Sequence, residues 1–335
     1  MTEEVLNLPA EAPTPDLKTA RKHFSRLGLS VLLIFVAGTL LQVLFSLLAE
    51  KFAPQLESHS WGMWIITFVP LYLMGMPLGM LLMRTVPAVP MERKSLKITH
   101  FLWFLPVSIC MMYAGNLLGN FLTGIIRTFI GLPTTNPVES LIASTGTLPR
   151  ILFVVILGPI AEELVFRKFL IDRMAPYGEK LAVFLSALMF GLFHGNLSQL
   201  FYAFALGLVF GYVYLRTRKL RYSALLHMFI NFIGGVVGPL LLEKIGDLPT
   251  DLVTLGAQEI IKALPGLLIL TAYSMAMMAT AVVGLILLCV NLKKLFWKGA
   301  PKELPLGSEA KISCLNAGMI ALGVVLLSLI VYSLF

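Results

Sequence analysis

Residues 181–215 read LAVFLSALMFGLFHGNLSQLFYAFALGLVFGYVYL, 35 positions without one charged side chain. A single helix of that length would run about 52 Å at ~1.5 Å per residue, far more than the roughly 30 Å hydrocarbon layer of a bilayer. Gly195-Asn196 in its middle is turn chemistry, so the stretch is expected to fold back there into two shorter membrane helices. The composition agrees with a membrane protein. Of 335 residues, 58% are hydrophobic and 13% charged, with a mean hydropathy of +0.86. Soluble domains carry about 25% charged residues, and disordered chains combine low hydrophobicity with high charge, so both classes are excluded. The three cysteines, Cys110, Cys289 and Cys314, all lie in apolar stretches and do not make a disulfide scaffold.

Outward from this hairpin, uncharged apolar runs long enough to span a bilayer occur at 27–49, 61–83, 101–126, 265–292 and 312–335, and 222–242 adds another. A further run, 151–161, is interrupted by Glu162, Glu163 and Arg167 before it resumes. Nine segments predict an all-α polytopic membrane protein, a bundle of about eight to nine transmembrane helices. The chain divides into a polar tail (1–26), a first set of membrane helices (27–149), a central block holding the intramembrane charges (150–242) and a last set of helices (243–335). Residues 1–17, with Pro9, Pro13 and Pro15, read as a disordered cytoplasmic tail. The first apolar run, 23 residues, exceeds the 7–15 of a signal-peptide core and is expected to stay as an anchor.

The net charge of +8 admits a nucleic-acid partner, but position decides otherwise. With the N-terminus in the cytoplasm, 21 of the 26 Lys and Arg fall in cytoplasmic segments, and Lys51, Arg127, Arg150, Lys244 and Lys262 fall outside. Cytoplasmic connections carry such an excess. The basic residues therefore read as the topology signal of a multi-pass plasma-membrane protein whose partner is the lipid bilayer and not nucleic acid.

An ionisable side chain at mid-bilayer costs about 2.5–3.5 kcal/mol on insertion scales, and such residues usually face an interior cavity. The sequence Gly158-Pro-Ile-Ala-Glu-Glu-Leu-Val-Phe-Arg167 holds three. Glu163 and Arg167 are i,i+4 neighbours in acid-first order and can neutralise each other. Glu162 points about 100° away and has Phe166, not a cation, at i+4. It is the carboxylate without a local partner, a candidate general base or acid. His194 closes Phe190-Gly-Leu-Phe-His194, and His227 opens His227-Met-Phe-Ile-Asn231, which puts Asn231 on the same face one turn deeper. Counted at ~1.5 Å per residue from the cytoplasmic ends, Glu162, His194 and His227 lie about 9–20 Å deep, so a cavity open to the cytoplasm is expected to serve all three. Each residue also has a plainer reading: a packing ion pair, a core histidine, and for Asn116 and Asn120 interhelical hydrogen bonding. Several burial costs on neighbouring segments together point to one site.

Glu-Glu-x-x-x-Arg at 162–167, Phe-x-x-x-His at 190–194 and His-x-x-x-Asn at 227–231, in this order on successive membrane segments, resemble the CPBP family. That family joins the CAAX prenyl proteases of type II to bacteriocin-processing and self-immunity (Abi) proteins. The resemblance covers about residues 150–240 and implies an intramembrane endopeptidase, a hydrolase acting on a lipid-modified protein or a membrane-associated peptide. Carried over by motif, Glu162 activates water with help from His194, and His227 and Asn231 polarise the scissile carbonyl and form the oxyanion site. Glu163 and Arg167, with Phe190, hold the geometry. Glu162, His194 and His227 could instead supply three Zn²⁺ ligands, but no HExxH is present and Asn is a poor zinc ligand, so glutamate chemistry without a cofactor is preferred. The alternatives are a non-catalytic scaffold or self-immunity protein, and a transporter using the Glu/His cluster as a proton relay. The inverted repeat that transporters often carry is not evident in the sequence.

Overall fold

A computed structural model describes residues 16–89, 92–131, 146–245 and 257–335. Among these residues no strand occurs, and nine helical rods account for the nine expected segments. They are α1 (Leu17–Phe52), α2 (60–84), α3 (Ile98–Phe129), α4 (147–174), α5 (Glu179–Phe193), α6 (Leu197–Thr217), α7 (220–245), α8 (Ala257–Asn291) and α9 (Ala317–Tyr332). α1–α3 and α6–α8 are long and apolar enough to cross a membrane, and α9 is a shorter apolar helix. The all-α polytopic architecture is the one the apolar runs predict.

The fold-back within 181–215 is present. α5 ends at His194, Gly195 takes φ +68°, and the Asn196 side chain caps α6 by accepting from the Gln199 N–H at 2.9 Å. Glycine adopts that left-handed conformation without Cβ strain, and a short polar side chain satisfies an N–H that a helix start leaves unpaired. Asp16 caps α1 in the same way, accepting from Lys18 N at 3.0 Å. α1 therefore begins at Leu17, ahead of the apolar run, and residues 17–26 are helix rather than tail. Ala20 and Phe24 are buried at i,i+4 spacing and give the helix a core-facing stripe before its hydrophobic stretch. The rest of the expected tail, 1–15, lies outside the described residues.

α2, α4 and α7 contain π-helical turns, at Val69–Gly75, at Arg150–Leu157 and Leu164–Ile171, and at Ile233–Val237. Pro70, Pro159 and Pro239 sit within or just beyond three of these turns. Proline has no N–H to close an α-turn, and the ladder widens there.

Hydrogen bonds gather the basic-rich segments at one end of the bundle. Arg173 Nε, at the foot of α4, donates to the Met83 carbonyl of α2 at 2.7 Å, and His23 Nε2 of α1 lies 2.9 Å from the Arg173 carbonyl. Asp172 pairs with Arg218 at 3.0 Å and accepts the Tyr214 hydroxyl at 2.9 Å. Glu179 pairs with Arg216 and accepts the Lys298 N–H at 2.7 Å. At the opposite end Arg127 donates to the Ser333 carbonyl at 3.1 Å and Arg150 pairs with Glu243 at 2.8 Å. Arg167, Arg173, Arg218, Arg127 and Arg150 are buried and Arg216 nearly so, so these six serve packing as well as topology. Setting them aside still leaves 17 basic residues at one end and three at the other.

Two large apolar cores result, beside a small cluster of Trp64, Phe68 and Phe153. One joins α1, α2, α4, α5 and α9 around Phe24, Met83, Phe166 and Leu170, and the other joins α3, α6, α7 and α8 around Phe210, Val213, Leu226 and Met277. α6 touches both, with Gly207 against Ala187 of α5 and Tyr202 against Gly115 of α3. A Cβ added at Gly115 would come within 2.4 Å of the Tyr202 Cα, which is backbone and cannot swing away. Gly115→Ala is expected to push α3 off α6 and cost about 1–3 kcal/mol, the usual range for overpacking. Gly124→Ala, with no atom within 4 Å of its added Cβ, should leave the thermal midpoint in detergent unchanged or raised. Equal midpoints for the two variants would contradict the close α3–α6 contact.

Candidate active site

Glu162 and Glu163 diverge on α4, as adjacent helical residues must, and meet opposite surroundings. The Glu163 side chain is fully buried; its Oε2 accepts from Arg167 Nε at 3.1 Å and its Oε1 lies 3.2 Å from His227 Nδ1 on α7. A carboxylate already paired with a guanidinium can only accept here, so Nδ1 of His227 carries a proton. This turns Nε2 toward Glu162, 3.7 Å from its Oε2. Arg167 is held in turn by α5. Its Nη1 donates to Ser186 Oγ at 3.0 Å, Ser186 donates to the Phe166 carbonyl at 2.6 Å, and the guanidinium lies 4.7 Å above the Phe190 ring. Phe190 meets the His194 and His227 rings edge-on at centroid distances of 4.9 and 5.6 Å, and Phe210 stacks on His227 at 5.3 Å.

His194 Nδ1 donates to the Phe190 carbonyl at 2.8 Å, which leaves Nε2 as the acceptor. Asn231 Nδ2 donates to the Val154 carbonyl at 2.9 Å. The π turn of α4 explains this bond. The Gly158 N–H is taken by the Phe153 carbonyl, and the next residue, Pro159, has no N–H to offer Val154. A buried carbonyl must find a donor somewhere, and α7 supplies it.

Glu162, His194, His227 and Asn231, with Phe190, line one cavity of about 510 Å³, while Glu163 and Arg167 stand behind its wall. The structure thus brings together the four residues singled out from the sequence. The cavity's described lining lies mostly to one side of that cluster. Toward the basic-rich end, Phe166, Leu170, Met83 and Phe24 are fully buried in one apolar core. On six helices the described lining extends from the cluster toward the base-poor end: Gln42 on α1, Trp64 on α2, Asn120 on α3, Val154 on α4, Ser198 on α6 and Gly235 on α7. Residue number gives depth along a helix, but which residues line a cavity depends on which gaps the packing leaves.

The largest omission from the sequence reading is Tyr72. It sits in the π turn of α2 and donates its hydroxyl to Glu162 Oε1 at 2.5 Å, so the carboxylate without a partner on its own helix has one on another. Its only sequence signal was a polar tip in an apolar run beside Pro70. Asn116 and Asn120, expected to bond across helices, bond each other along α3 at 2.5 Å and face the cavity. Among the described residues no three His, Cys, Asp or Glu side chains come together as a metal-ligand set. The two Nδ1 atoms are tied back and one Glu162 oxygen is engaged by Tyr72, which leaves the Nε2 atoms of His194 and His227 and Oε2 of Glu162 for the cavity.

Against known proteins, residues 144–233 match the family of type II CAAX prenyl endopeptidases described as Rce1-like. The chain is 25% identical over 182 residues to the putative membrane peptidase YdiL of Bacillus subtilis (strain 168), across 52% of this chain and 70% of that protein. It is 33% identical over 101 residues to the membrane-embedded CAAX protease MroQ of Staphylococcus aureus (strain USA300), across 28% of this chain and 41% of that protein. No solved structure shows a significant match. The matched span contains all three polar motifs, and over it this chain is similar to the type II CAAX prenyl endopeptidases.

Proposed function

We propose that this chain hydrolyses a peptide bond in a membrane-associated or lipid-modified substrate, using water activated by Glu162 and no metal. One observation carries the reading: two adjacent carboxylates divided between a sealed ion pair and an open cavity wall. Glu163 is spent on Arg167 and His227, and Glu162, with 13% of its side chain accessible, faces the cavity beside His227. The family and the names of its relatives support peptidase chemistry.

In this mechanism Tyr72 occupies Oε1 of Glu162 and leaves Oε2 as the basic oxygen. A water held between Oε2 and His194 Nε2 gives its proton to Glu162 as its oxygen adds to the scissile carbonyl carbon. The oxyanion accepts from His227 Nε2–H and from the second N–H of Asn231, whose first is committed to Val154. His227 acts here as an imidazolium, steadied through Nδ1 by Glu163, the way a buried carboxylate orients a catalytic histidine. Such donors are worth about 2.7–4 kcal/mol each. The proton on Glu162 then passes to the leaving amine as the C–N bond breaks. Zinc catalysis would need three protein ligands and an open position, and no step here runs through a metal.

Glu162→Gln is expected to lower turnover by about 10²- to 10⁴-fold with unchanged yield of folded protein. Arg167→Ala should instead lose folded protein, since stranding a buried carboxylate costs roughly 3–5 kcal/mol. Full turnover by the Glu162 variant in a purified-protein assay would remove that residue from the mechanism. Tyr72→Phe gives up a hydrogen bond to a charged group, worth about 1.5–3 kcal/mol, and should lower kcat roughly 10- to 100-fold with little change in KM. A chelator such as 1,10-phenanthroline should leave hydrolysis unchanged, and a loss restored by added Zn²⁺ would replace glutamate chemistry with metal chemistry.

A further inference from the structure

We infer that Tyr202 is a substrate-binding residue whose hydroxyl donates a hydrogen bond to a main-chain carbonyl of the peptide in the cavity. That the occupant is a peptide rests on the peptidase reading, whereas the polarity of the phenol follows from hydrogen bonds within the chain.

The polarity is set at the turn between α5 and α6. The Gln199 backbone N–H can only donate, and it bonds Asn196 Oδ1 at 2.9 Å. This fixes the Asn196 amide, whose Nδ2 donates to the His194 carbonyl at 3.0 Å and to Gln199 Oε1 at 2.5 Å. With Oε1 engaged, Gln199 turns its own Nε2 to the Tyr202 hydroxyl oxygen at 2.7 Å. An amide nitrogen donates and does not accept, so the phenol oxygen accepts here and its proton points elsewhere. Among the described residues Tyr202 makes no other hydrogen bond.

Position makes this proton useful. Tyr202 lines the same cavity as Glu162, His194 and His227, and its ring stands edge-on to His194 at a centroid distance of 6.5 Å. Its backbone is fixed by the close approach of Gly115 on α3. The two tyrosines of the lining are thus opposite in polarity. Tyr72 gives its proton to Glu162, and Tyr202 keeps one free. A donor left without an acceptor in a desolvated site is unfavourable, and a ligand carbonyl removes that cost without rearranging the wall. A peptide main chain offers such an acceptor at every residue, whatever its side chains.

The test reads this hydrogen bond in the full-length Glu162→Gln chain, so that no turnover intervenes. The probe is a peptide selected from a random library for binding to that chain, with its backbone carbonyls replaced one at a time by thioamides, whose sulfur is a weaker acceptor. Tyr202→Phe in this background should weaken binding about 3- to 10-fold, as for one neutral hydrogen bond. One thioamide position should weaken binding about twofold or more when Tyr202 is present and have no effect once it is Phe. Gln199→Glu should abolish that coupling with the hydroxyl still in place, because a carboxylate has no N–H to give and accepts the phenol proton itself. Additive effects of Tyr202→Phe with every thioamide overturn the inference, as does coupling that survives Gln199→Glu. A lowered thermal midpoint with unchanged binding leaves the hydroxyl only a packing role and also overturns it. In the active chain Tyr202→Phe should raise KM by the same factor and leave kcat unchanged, the pattern of a contact made equally in ground and transition states. Coupling in binding with no cleavage of any library peptide by the active chain would count against the peptidase reading and leave the donor standing. Cleavage without coupling would do the reverse.

Discussion

A carboxylate with no access to water holds the centre of this molecule. Glu163 is completely enclosed, and an unpaired charge in such a place would cost several kcal/mol. It is tolerated because Arg167 meets one oxygen and His227 the other. Each partner recruits a further helix: Arg167 reaches Ser186 and Phe190 on α5, and His227 brings α7 against α4. Three helices are thereby set in register by one charge. The same pairing places a proton on Nδ1 of His227 and turns Nε2 toward Glu162, so a structural ion pair prepares the site it does not enter.

The irregular helices around this centre follow from the same need to satisfy polar groups in a medium that offers no water. Non-ideal backbone is tolerated at membrane depth where neighbouring protein re-satisfies the freed groups. Pro159 leaves the Val154 carbonyl without its turn partner, and the Asn231 amide fills that position. The π turn of α2 carries Tyr72 onto Glu162. In both cases a widened helix brings a side chain from one rod to a polar atom on another, so the departures from regular geometry coincide with the contacts that shape the cavity.

Charged residues in the membrane were legible because they are costly. Glu162, Glu163, Arg167 and His227 stand out in an apolar sequence, and their i,i+4 relations follow from helical geometry before any tertiary contact is known. Neutral polar residues carry no such signal. Tyr72, Gln42 and Gln199 cost little on insertion and look like their neighbours, so nothing local marks them as cavity residues. Five other arginines, four of them buried and Arg216 nearly so, show the opposite error. In the sequence they resemble surface topology signals, and only packing reveals that Arg173 and Arg218 tie helix ends together.

The sequence by itself determined the solvent, the helix count and the residues that had to share a site, because hydropathy and charge act residue by residue along the chain. It determined the Gly195-Asn196 reversal as well, since turn chemistry is local. The tertiary structure decided which atoms meet and which residues line the cavity. Glu162 acquires Tyr72 from a helix 90 residues away, and the described cavity lining draws on helices that are far apart in the chain. A void is what remains after all helices have packed, so its lining belongs to no single segment and has no local signature in the sequence.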